Sequence, residues 1–427
     1  MTVDKELRRQ EYAKAEEYVI SVYETSAPPY EQSKIEEMLE HTSALAPHVQ
    51  LDRMWMERLL QKLAHRRPEI HVPERSPEEW TKLFPRYPTT DDAFVMSLEA
   101  TEHDKIRETL NKYGLVVVKA FDTEVCEKTI EAMFDEINDL AAERAATAGR
   151  PAPTPVNPYK QWTWVDSNWP SERKFLIPRP AFHPQAFENR VAPHVYQLFA
   201  ALWGEDRLRV SIDNWGATRG SRNLNLNQET TTSSGEDATI ELTDKPRWGK
   251  GITPHWDYNP WLWVDEVERQ GRNPGYQAVV ALNEHRPGMG CHYTLPGGTA
   301  FMSQWCQEHG CPSNVNMKRT SHRPPETDPI RQHMQEIPLR RGEMIIWTWG
   351  QLHATAENVS DKMRLHQYIR FFPAAETGDR FYEEHDRYAP RRVLRNYGKD
   401  EAVPSLAALP ESLGQLGRRL VGLEEWP

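Results

Sequence analysis

His255 and Asp257 stand two positions apart in the segment 251–260. Successive side chains of a β-strand point to opposite faces, so a histidine and an aspartate at this spacing share one face. Two such ligands and a second histidine from a distant strand make the 2-His-1-carboxylate triad that holds non-haem Fe(II) with open positions. His353 is the candidate for that second histidine. The sequence therefore predicts an iron site formed by His255, Asp257 and His353.

Arg364 follows His353 by eleven residues (364 − 353 = 11). A keto-acid co-substrate needs a cation for its far carboxylate, and arginine gives bidentate, always-charged recognition. Thr355, two residues after His353, can add a hydroxyl to the same carboxylate. A lone histidine is more often a core or surface residue, and a lone arginine on a strand is usually solvated. The prediction of a metal site therefore rests on the ordered set, each member beside a strand-like run.

Four further residues are candidates for the substrate pocket. Asn214 lies in the strand-like run 208–219 and Arg219 ends it, so that Arg219 would offer a cation to a substrate carboxylate. A structural salt bridge is an equal alternative for Arg219. Ile345 and Trp347 share one face of the run before His353, where they either wall the pocket or pack in the core. An aromatic-lined pocket with a cationic anchor would fit a small carboxylate such as an amino acid.

The other histidines show no spacing that indicates a second metal. They are scattered along the chain and include His285, His292, His309, His322 and His333. The run 364–372 alternates, with Arg364, His366, Tyr368 and Arg370 on one face.

The overall composition narrows the class of protein. The chain has 427 residues and a net charge of −11, which argues against a nucleic-acid surface made of clustered lysine and arginine. Its first residues lack the apolar stretch of a signal peptide, and no apolar run approaches a membrane span. Four cysteines without Cys-x-x-Cys spacing indicate neither a zinc site nor a disulfide framework. We expect a cytoplasmic protein that acts on a small molecule, not on nucleic acid or membrane; the oligomeric state stays open.

The elements that must position these residues fall into three regions. Residues 1–110 read as a helical N-terminal segment, 111–375 as a catalytic domain, and 376–427 as a helical tail packed on the core. The many short strands of the central region predict a mainly β protein with a double-stranded β-helix (jelly-roll, cupin-like) core and helices packed on the barrel. A helix near 187–203 is expected, and Pro193 inside it either weakens that prediction or implies a kink. The polar segment 220–237 cannot build a core, and we expect a mobile lid there.

From about residue 113 to 373 the chain resembles the phytanoyl-CoA-hydroxylase-like branch of the Fe(II)/2-oxoglutarate dioxygenases. The segments that carry the resemblance are 114–121, 255–257, 290–298, 341–347, 353–355 and 358–364. The resemblance implies that His255, Asp257 and His353 bind Fe(II), that Thr355 and Arg364 hold the C5 carboxylate of 2-oxoglutarate, and that O2 is the other co-substrate. The long N-terminal segment, the insert at 220–240 and the C-terminal tail are closer to the larger YbiU-like proteins of bacteria and fungi, which argues against an acyl-CoA substrate.

Asp257 also bears on the type of reaction. Related halogenases carry a small residue at the carboxylate position, so an aspartate there disfavours halogenation. The expected function is hydroxylation of a small-molecule C–H bond with conversion of 2-oxoglutarate to succinate, in secondary metabolism. Oxidative cyclisation or desaturation of an amino-acid-like substrate at the same iron is the alternative. A cupin-like metal isomerase or hydrolase, an oxygenase acting on a protein or nucleic acid, and a non-catalytic binding protein are alternatives from other classes.

Overall fold

The computed structural model describes residues 5–25, 32–49, 51–64, 73–170, 176–227, 242–271, 273, 275–310, 321–374, 388–397 and 413–427. Its helices are α1 Lys5–Thr25, α2 Gln32–Leu45, α3 Arg53–Ala64, α4 Pro77–Leu83, α5 His103–Tyr113, α6 Thr123–Thr147, α7 Pro184–Arg190, α8 Pro193–Trp203, α9 Pro260–Trp263, α10 Gly298–His309, α11 Pro390–Tyr397 and α12 Gly414–Leu420. Short 3-10 turns occupy Gln161–Trp164 and Pro329–His333, and a π-helical turn occupies Val264–Arg269.

The strands are β1 Leu98–Glu99, β2 Leu115–Lys119, β3 Leu176–Pro180, β4 Leu208–Val210, β5 Asn214–Thr218, β6 Ile252–His255, β7 Tyr276–Ala281, β8 His292–Thr294, β9 Gln335–Ile337, β10 Glu343–Thr348, β11 His353–Thr355, β12 Arg364–Tyr368 and β13 Phe371–Pro373. Seven of them form one sheet in the order β1-β2-β10-β7-β12-β5-β3. Four form a second sheet, β6-β11-β8-β9, and β13 pairs with β4.

The seven-stranded sheet is buried on both faces, and β2 shows why its sequence is apolar without alternation. Val116 and Val118 belong to the large hydrophobic cluster that includes the buried side of α6. Leu115 and Val117 belong to another cluster, with Val279 of β7. A strand covered on both sides reads as a continuous apolar run. The sheet is thus a rigid layer between helices and the interior of the domain.

The architecture consists of mixed sheets with helices, which is less β-rich than the sequence suggested. Long elements such as α6, with 25 residues, account for the difference. This helix begins with a side-chain cap, because Asp122 accepts a hydrogen bond from the Val125 amide. Strand pairing in the described residues gives three separate sheets and not one closed barrel. Closure into a jelly roll therefore stays a prediction.

Pro193 marks a break between two helices and not a kink within one. The run divides into α7 and α8, and Pro193 is the first residue of the second helix. Proline has no amide hydrogen, and the first residue of a helix does not need one, so proline is favoured at that position. The two short helices cover one side of the seven-stranded sheet through residues such as Phe187 and Leu198.

The two ends of the chain pack differently. Helices α1, α2 and α3 bury a hydrophobic cluster of their own, which includes Val19, Met38 and Met56. Residues between 73 and 110, such as Trp80 and Ile106, pack in the clusters of the central region. At the other end, α11 and α12 contribute Val393 and Leu420 to the large cluster. None of the helices in the described ranges is both long enough and apolar enough to cross a membrane.

Candidate metal centre

The two candidate histidines lie side by side because their strands pair. Strands β6 and β11 are antiparallel neighbours, and His255 is the partner of His353 in their register. The ring centroids of the two histidines are 4.5 Å apart. Trp256 points to the opposite side, into a hydrophobic cluster, so the alternation expected for His255 and Asp257 is present.

The carboxylate of Asp257 lies between the two imidazoles. Its Oδ1 is 3.4 Å from Nε2 of His255, and its Oδ2 is 3.4 Å from Nε2 of His353. One ligand atom from each of the three residues lies within 4.8 Å of the others. The side chains of His255, Asp257 and His353 are 17%, 35% and 10% exposed. Three partly exposed ligands of these types that converge on one point suit a divalent metal ion.

The outer nitrogen of each imidazole is held by the backbone. Nδ1 of His255 is 2.9 Å from the carbonyl oxygen of Thr253, and Nδ1 of His353 is 2.9 Å from the carbonyl oxygen of Gln351. A carbonyl oxygen can only accept, so each Nδ1 donates its hydrogen. In the neutral ring this leaves the lone pair on Nε2, which faces Asp257. The backbone therefore fixes the tautomer that metal binding requires.

The pKa values of Asp257 and His255 are shifted because the side chains of the site lie close together. Burial alone would raise the pKa of Asp257, but the hydrogen bonds and charges of His255 and His353 outweigh it and hold that pKa well below its ordinary value. Burial likewise acts to lower the pKa of His255, and the hydrogen bond and charge of Asp257 raise it above its ordinary value. A carboxylate that stays ionised among imidazoles is a ready ligand for a cation.

Gln277 is a contact of this site that the sequence reasoning did not single out. Its Nε2 donates to Oδ2 of Asp257 over 2.6 Å. It lies on β7, directly opposite Trp347 of β10. A polar residue within an otherwise apolar strand was the available signal. The hydrogen bond orients the carboxylate from the side of the seven-stranded sheet.

The candidate metal centre opens into a cavity of about 600 Å³ that is lined by residues of the two large sheets. Arg364 and Thr355 both line it, as do Trp347 and Asn214. Arg364 is 2% exposed, and within the described part of the chain no hydrogen bond or ion pair to its guanidinium is found. Burial lowers the pKa of Arg364 from its ordinary value. A buried cation without a protein partner, aimed into a cavity, calls for an anionic ligand.

His292 is a second residue of the cavity whose role the sequence did not indicate. It lies on β8 opposite Thr355, and its ring stacks on that of His353 with centroids 5.7 Å apart. His292 is buried, and its Nε2 has no hydrogen-bond partner among the described residues. The nitrogen is therefore a further polar atom that a bound ligand can satisfy.

Two of the expected pocket residues lie elsewhere. Arg219 faces a different cavity, pairs with Asp166 over 2.8 Å and stacks on Trp248 at 4.0 Å from the ring centroid. Asn214 and Arg219 are five positions apart, and side chains separated by an odd number of strand residues point to opposite faces. Ile345 is fully buried in the hydrophobic cluster beneath the cavity. Of these four candidates, Asn214 and Trp347 are the ones that line the cavity.

No family model matches the chain. Over 344 residues it is 22% identical to a Dictyostelium discoideum protein named as a candidate phytanoyl-CoA dioxygenase, covering 74% of this chain and 86% of that one. The Escherichia coli hypothetical protein JW0805 has a similar structure, with a TM-score of 0.51 and 13% identity over 93% of this chain and 98% of its own. The epimerase SnoN, crystallised with Fe3+, alpha ketoglutarate and nogalamycin RO, is similar over 64% of this chain and 84% of its own, with 14% identity and a TM-score of 0.36. The likeness to JW0805 extends over nearly the whole chain and concerns the fold.

Proposed function

We propose that this protein is a non-haem Fe(II)/2-oxoglutarate-dependent oxygenase that hydroxylates a C–H bond of a small molecule. In the net reaction, the substrate, 2-oxoglutarate and O2 give the hydroxylated substrate, succinate and CO2. The observation that carries the proposal is the presence, in one cavity, of the His255, Asp257 and His353 triad and the unpaired, buried Arg364. The triad would bind a metal ion, and the arginine would bind an anionic co-substrate.

The donor set fits Fe(II). Two imidazole nitrogens and one carboxylate are ligands that this ion accepts, and three protein ligands leave positions for other molecules. Bound iron would supply the activation of O2 that hydrogen abstraction from a C–H bond requires. The chain's own residues hold the ligands, because Gln277 orients Asp257 and two backbone carbonyls orient the histidines.

Arg364 would bind the C5 carboxylate of 2-oxoglutarate. Its guanidinium offers a fork of N–H donors that matches a carboxylate. Thr355, on the neighbouring sheet, would add its hydroxyl, and Nε2 of His292 lies in the same cavity. A metal-dependent isomerase or hydrolase does not need a keto-acid co-substrate, and so it does not by itself require this buried cation. Arg364 is therefore the residue that favours an oxygenase over those classes.

The resemblance at the level of the chain supports the same proposal. The relative from Dictyostelium discoideum carries a dioxygenase name and covers most of the chain. Within this proposal the two large sheets belong to a double-stranded β-helix, with the metal centre between them. Ring closure or desaturation begins with the same hydrogen abstraction, so the substrate's position decides among these outcomes.

The test is to load the protein with Fe(II) and 2-oxoglutarate without oxygen and then admit air in the presence of a metabolite library. We expect release of succinate that depends on 2-oxoglutarate and is stimulated by the true substrate. A product that gains one oxygen atom from labelled O2 identifies hydroxylation, and a product that loses two hydrogens identifies ring closure or desaturation. Turnover of a substrate without 2-oxoglutarate would overturn the proposal.

A further inference from the structure

The end of the cavity away from Arg364 contains a second arginine. Arg364, Tyr368 and Arg370 all line the cavity, as expected for alternate residues of one extended segment. Arg364 begins β12, and Arg370 follows two residues after that strand ends, so the backbones of the two arginines are separated by the whole length of β12. The co-substrate proposed above would occupy the Arg364 end. The Arg370 end remains for the substrate.

The register of the sheet places Arg370 next to the metal centre. Tyr368 of β12 is the partner of Val279 of β7, and the amide of Ile369 donates to the carbonyl of Ala278 over 3.1 Å. Arg370 therefore follows at the level of Gln277. Gln277 is the residue whose amide contacts Asp257. A substrate held by Arg370 would lie beside the carboxylate ligand of the proposed iron.

Arg370 is paired with an aspartate that faces the same cavity. Its Nη2 donates to Oδ1 of Asp213 over 3.2 Å, and the two side chains are 10% and 5% exposed. Oδ2 of Asp213 accepts from the Ser211 hydroxyl. The Ser211 amide donates to the Arg370 carbonyl over 2.9 Å, so both charged residues are anchored to one stretch of backbone. This end of the cavity thus presents a cation and an anion side by side.

Aromatic rings enclose this ion pair. The guanidinium carbon of Arg370 is 6.0 Å from the ring centroid of Trp349 and 5.7 Å from that of Tyr388. Asn214, also in the cavity lining, has its amide donating to the carbonyl of Ile177 over 2.5 Å. Apolar walls around a buried pair of charges strengthen the interaction of those charges with a ligand.

We propose that Arg370 and Asp213 are specificity-determining residues that bind the carboxylate and the ammonium group of a free α-amino acid substrate. This inference rests on the proposed function for the role of the site. A ligand with one charge would bind one member of the pair and leave the other without compensation, which is costly in a buried place. A zwitterion exchanges one ion pair for two and leaves no net charge.

The size of the cavity agrees with a substrate of this class. Small-molecule sites measure roughly 300–1,000 Å³, and this one, at about 600 Å³, must also hold the co-substrate. The walls formed by Trp349, Tyr388 and Leu176 would contact the amino acid side chain. We therefore expect a preference for apolar or aromatic amino acids over charged ones.

The test measures binding, without oxygen, of a panel of L-amino acids and of the matching 2-hydroxy acids and amines to the protein with Fe(II) and 2-oxoglutarate. An amino acid should bind about ten- to a hundredfold more tightly than its 2-hydroxy analogue, the effect of a hydrogen bond between charged groups. Asp213→Asn should abolish this preference while keeping affinity for the 2-hydroxy acid. Arg370→Gln should weaken both ligands by a similar factor.

Two conservative variants and one control separate recognition from a structural role. Asp213→Glu and Arg370→Lys keep the charges, so they should retain part of the preference even if the neutral variants fold poorly. Arg179→Gln breaks the pair with Glu143, which lies outside the cavity, and should leave binding unchanged. Circular dichroism confirms the folding of each variant.

Three results would test the assignment of Arg370 and Asp213 separately from the proposed oxygenase function. If no amino acid binds, or if Asp213→Asn retains the full preference for the amino acid, the assignment of Arg370 and Asp213 is overturned. Turnover dependent on 2-oxoglutarate with a neutral substrate would overturn it too, while the proposed function stands. Amino acid binding with the expected variant pattern but without metal or 2-oxoglutarate binding would support this assignment and refute the oxygenase.

Discussion

At the residue scale the candidate centre depends on three side chains and on the backbone contacts that orient them. The carboxylate of Asp257 is 3.4 Å from both imidazoles, and each Nδ1 is held by a carbonyl oxygen. The metal-facing nitrogens are therefore defined before any ion arrives. Pre-organised ligands of this kind reduce the entropy that metal binding must overcome.

The first prediction is that removal of a triad ligand abolishes Fe(II) binding without unfolding the protein. His353→Ala and Asp257→Ala each leave two ligands, which are too few to compete with water for the ion. Anaerobic titration with Fe(II) measures the loss, and circular dichroism measures the fold. His103→Ala, at the start of α5, is the matched control and should bind iron normally. Parent affinity in a variant lacking both Asp257 and His353 would show that the triad is misassigned.

The second prediction concerns the buried cation. Loss of one member of a buried charge pair costs roughly 3–5 kcal/mol. Arg364→Ala should therefore weaken 2-oxoglutarate binding by about a hundredfold or more, because each 1.4 kcal/mol is about tenfold. Affinity for Fe(II) should change little, since Arg364 is not a ligand. Unchanged affinity for 2-oxoglutarate, measured by calorimetry, would remove the main argument for a keto-acid co-substrate.

The third prediction follows from Asp257 as a ligand. With a carboxylate in that position, no site is left for a halide beside the two histidines. We expect product without chlorine or bromine even when the reaction contains a high concentration of either salt. Mass spectrometry of the products decides this, because both elements have distinctive isotope patterns. A halogenated product would refute the assignment of Asp257 to the metal.

At the element scale the close pairing of β5 and β12 shapes the floor of the cavity. Gly216 of β5 is the partner of His366 of β12. A Cβ on Gly216 would lie 2.0 Å from Nε2 of the His366 ring, which is fully buried and cannot swing away. The absence of a side chain at Gly216 therefore lets this ring pack against the neighbouring strand. Arg364 and Tyr368 flank the histidine on the same strand face.

The fourth prediction is that Gly216→Ala destabilises the protein by about 1–3 kcal/mol, the usual cost of overfilling a packed interior. Urea unfolding measures the change in the free energy of unfolding. The control is the same substitution in a His366→Ala background, where the space is open and the added cost should be much smaller. Equal costs in the two backgrounds would show that the ring does not restrict Gly216.

At the scale of the whole molecule, the polar segment 220–237 precedes the strand that carries His255. Leu224, near the start of this segment, pairs with Thr243, which follows the segment. The two residues exchange two backbone hydrogen bonds of 3.0 and 2.9 Å. Residues 228–237 lie outside the described residues. The proposal of a lid over the metal centre concerns that part, since closure over a site excludes water from the reaction.

The fifth prediction is that a protease cuts within 228–237 in the protein alone and that substrate protects this segment. Bound substrate would shield the segment from the protease if the segment closes over the site. Limited proteolysis followed by mass spectrometry of the fragments measures both states. Cleavage elsewhere in the chain, unaffected by substrate, serves as the internal control. Equal resistance of the segment in both states would contradict a role as a lid.

The sequence by itself indicated which residue types could form the candidate metal centre. Strand alternation placed His255 and Asp257 on one face, and placed Arg364, Tyr368 and Arg370 on another, because these relations depend only on local backbone geometry. The capped start of α6 after Asp122 was also local. The same alternation separates Asn214 from Arg219, which are five positions apart.

The tertiary structure decided what lies across from these residues. Pairing of β6 with β11 brings His353 against His255, and pairing of β7 with β10 and β12 brings Gln277 towards Asp257. The ion pair of Asp213 and Arg370 joins residues 157 positions apart. Such contacts depend on strand register and sheet order. A local pattern carries neither, because both are set by the packing of the whole chain.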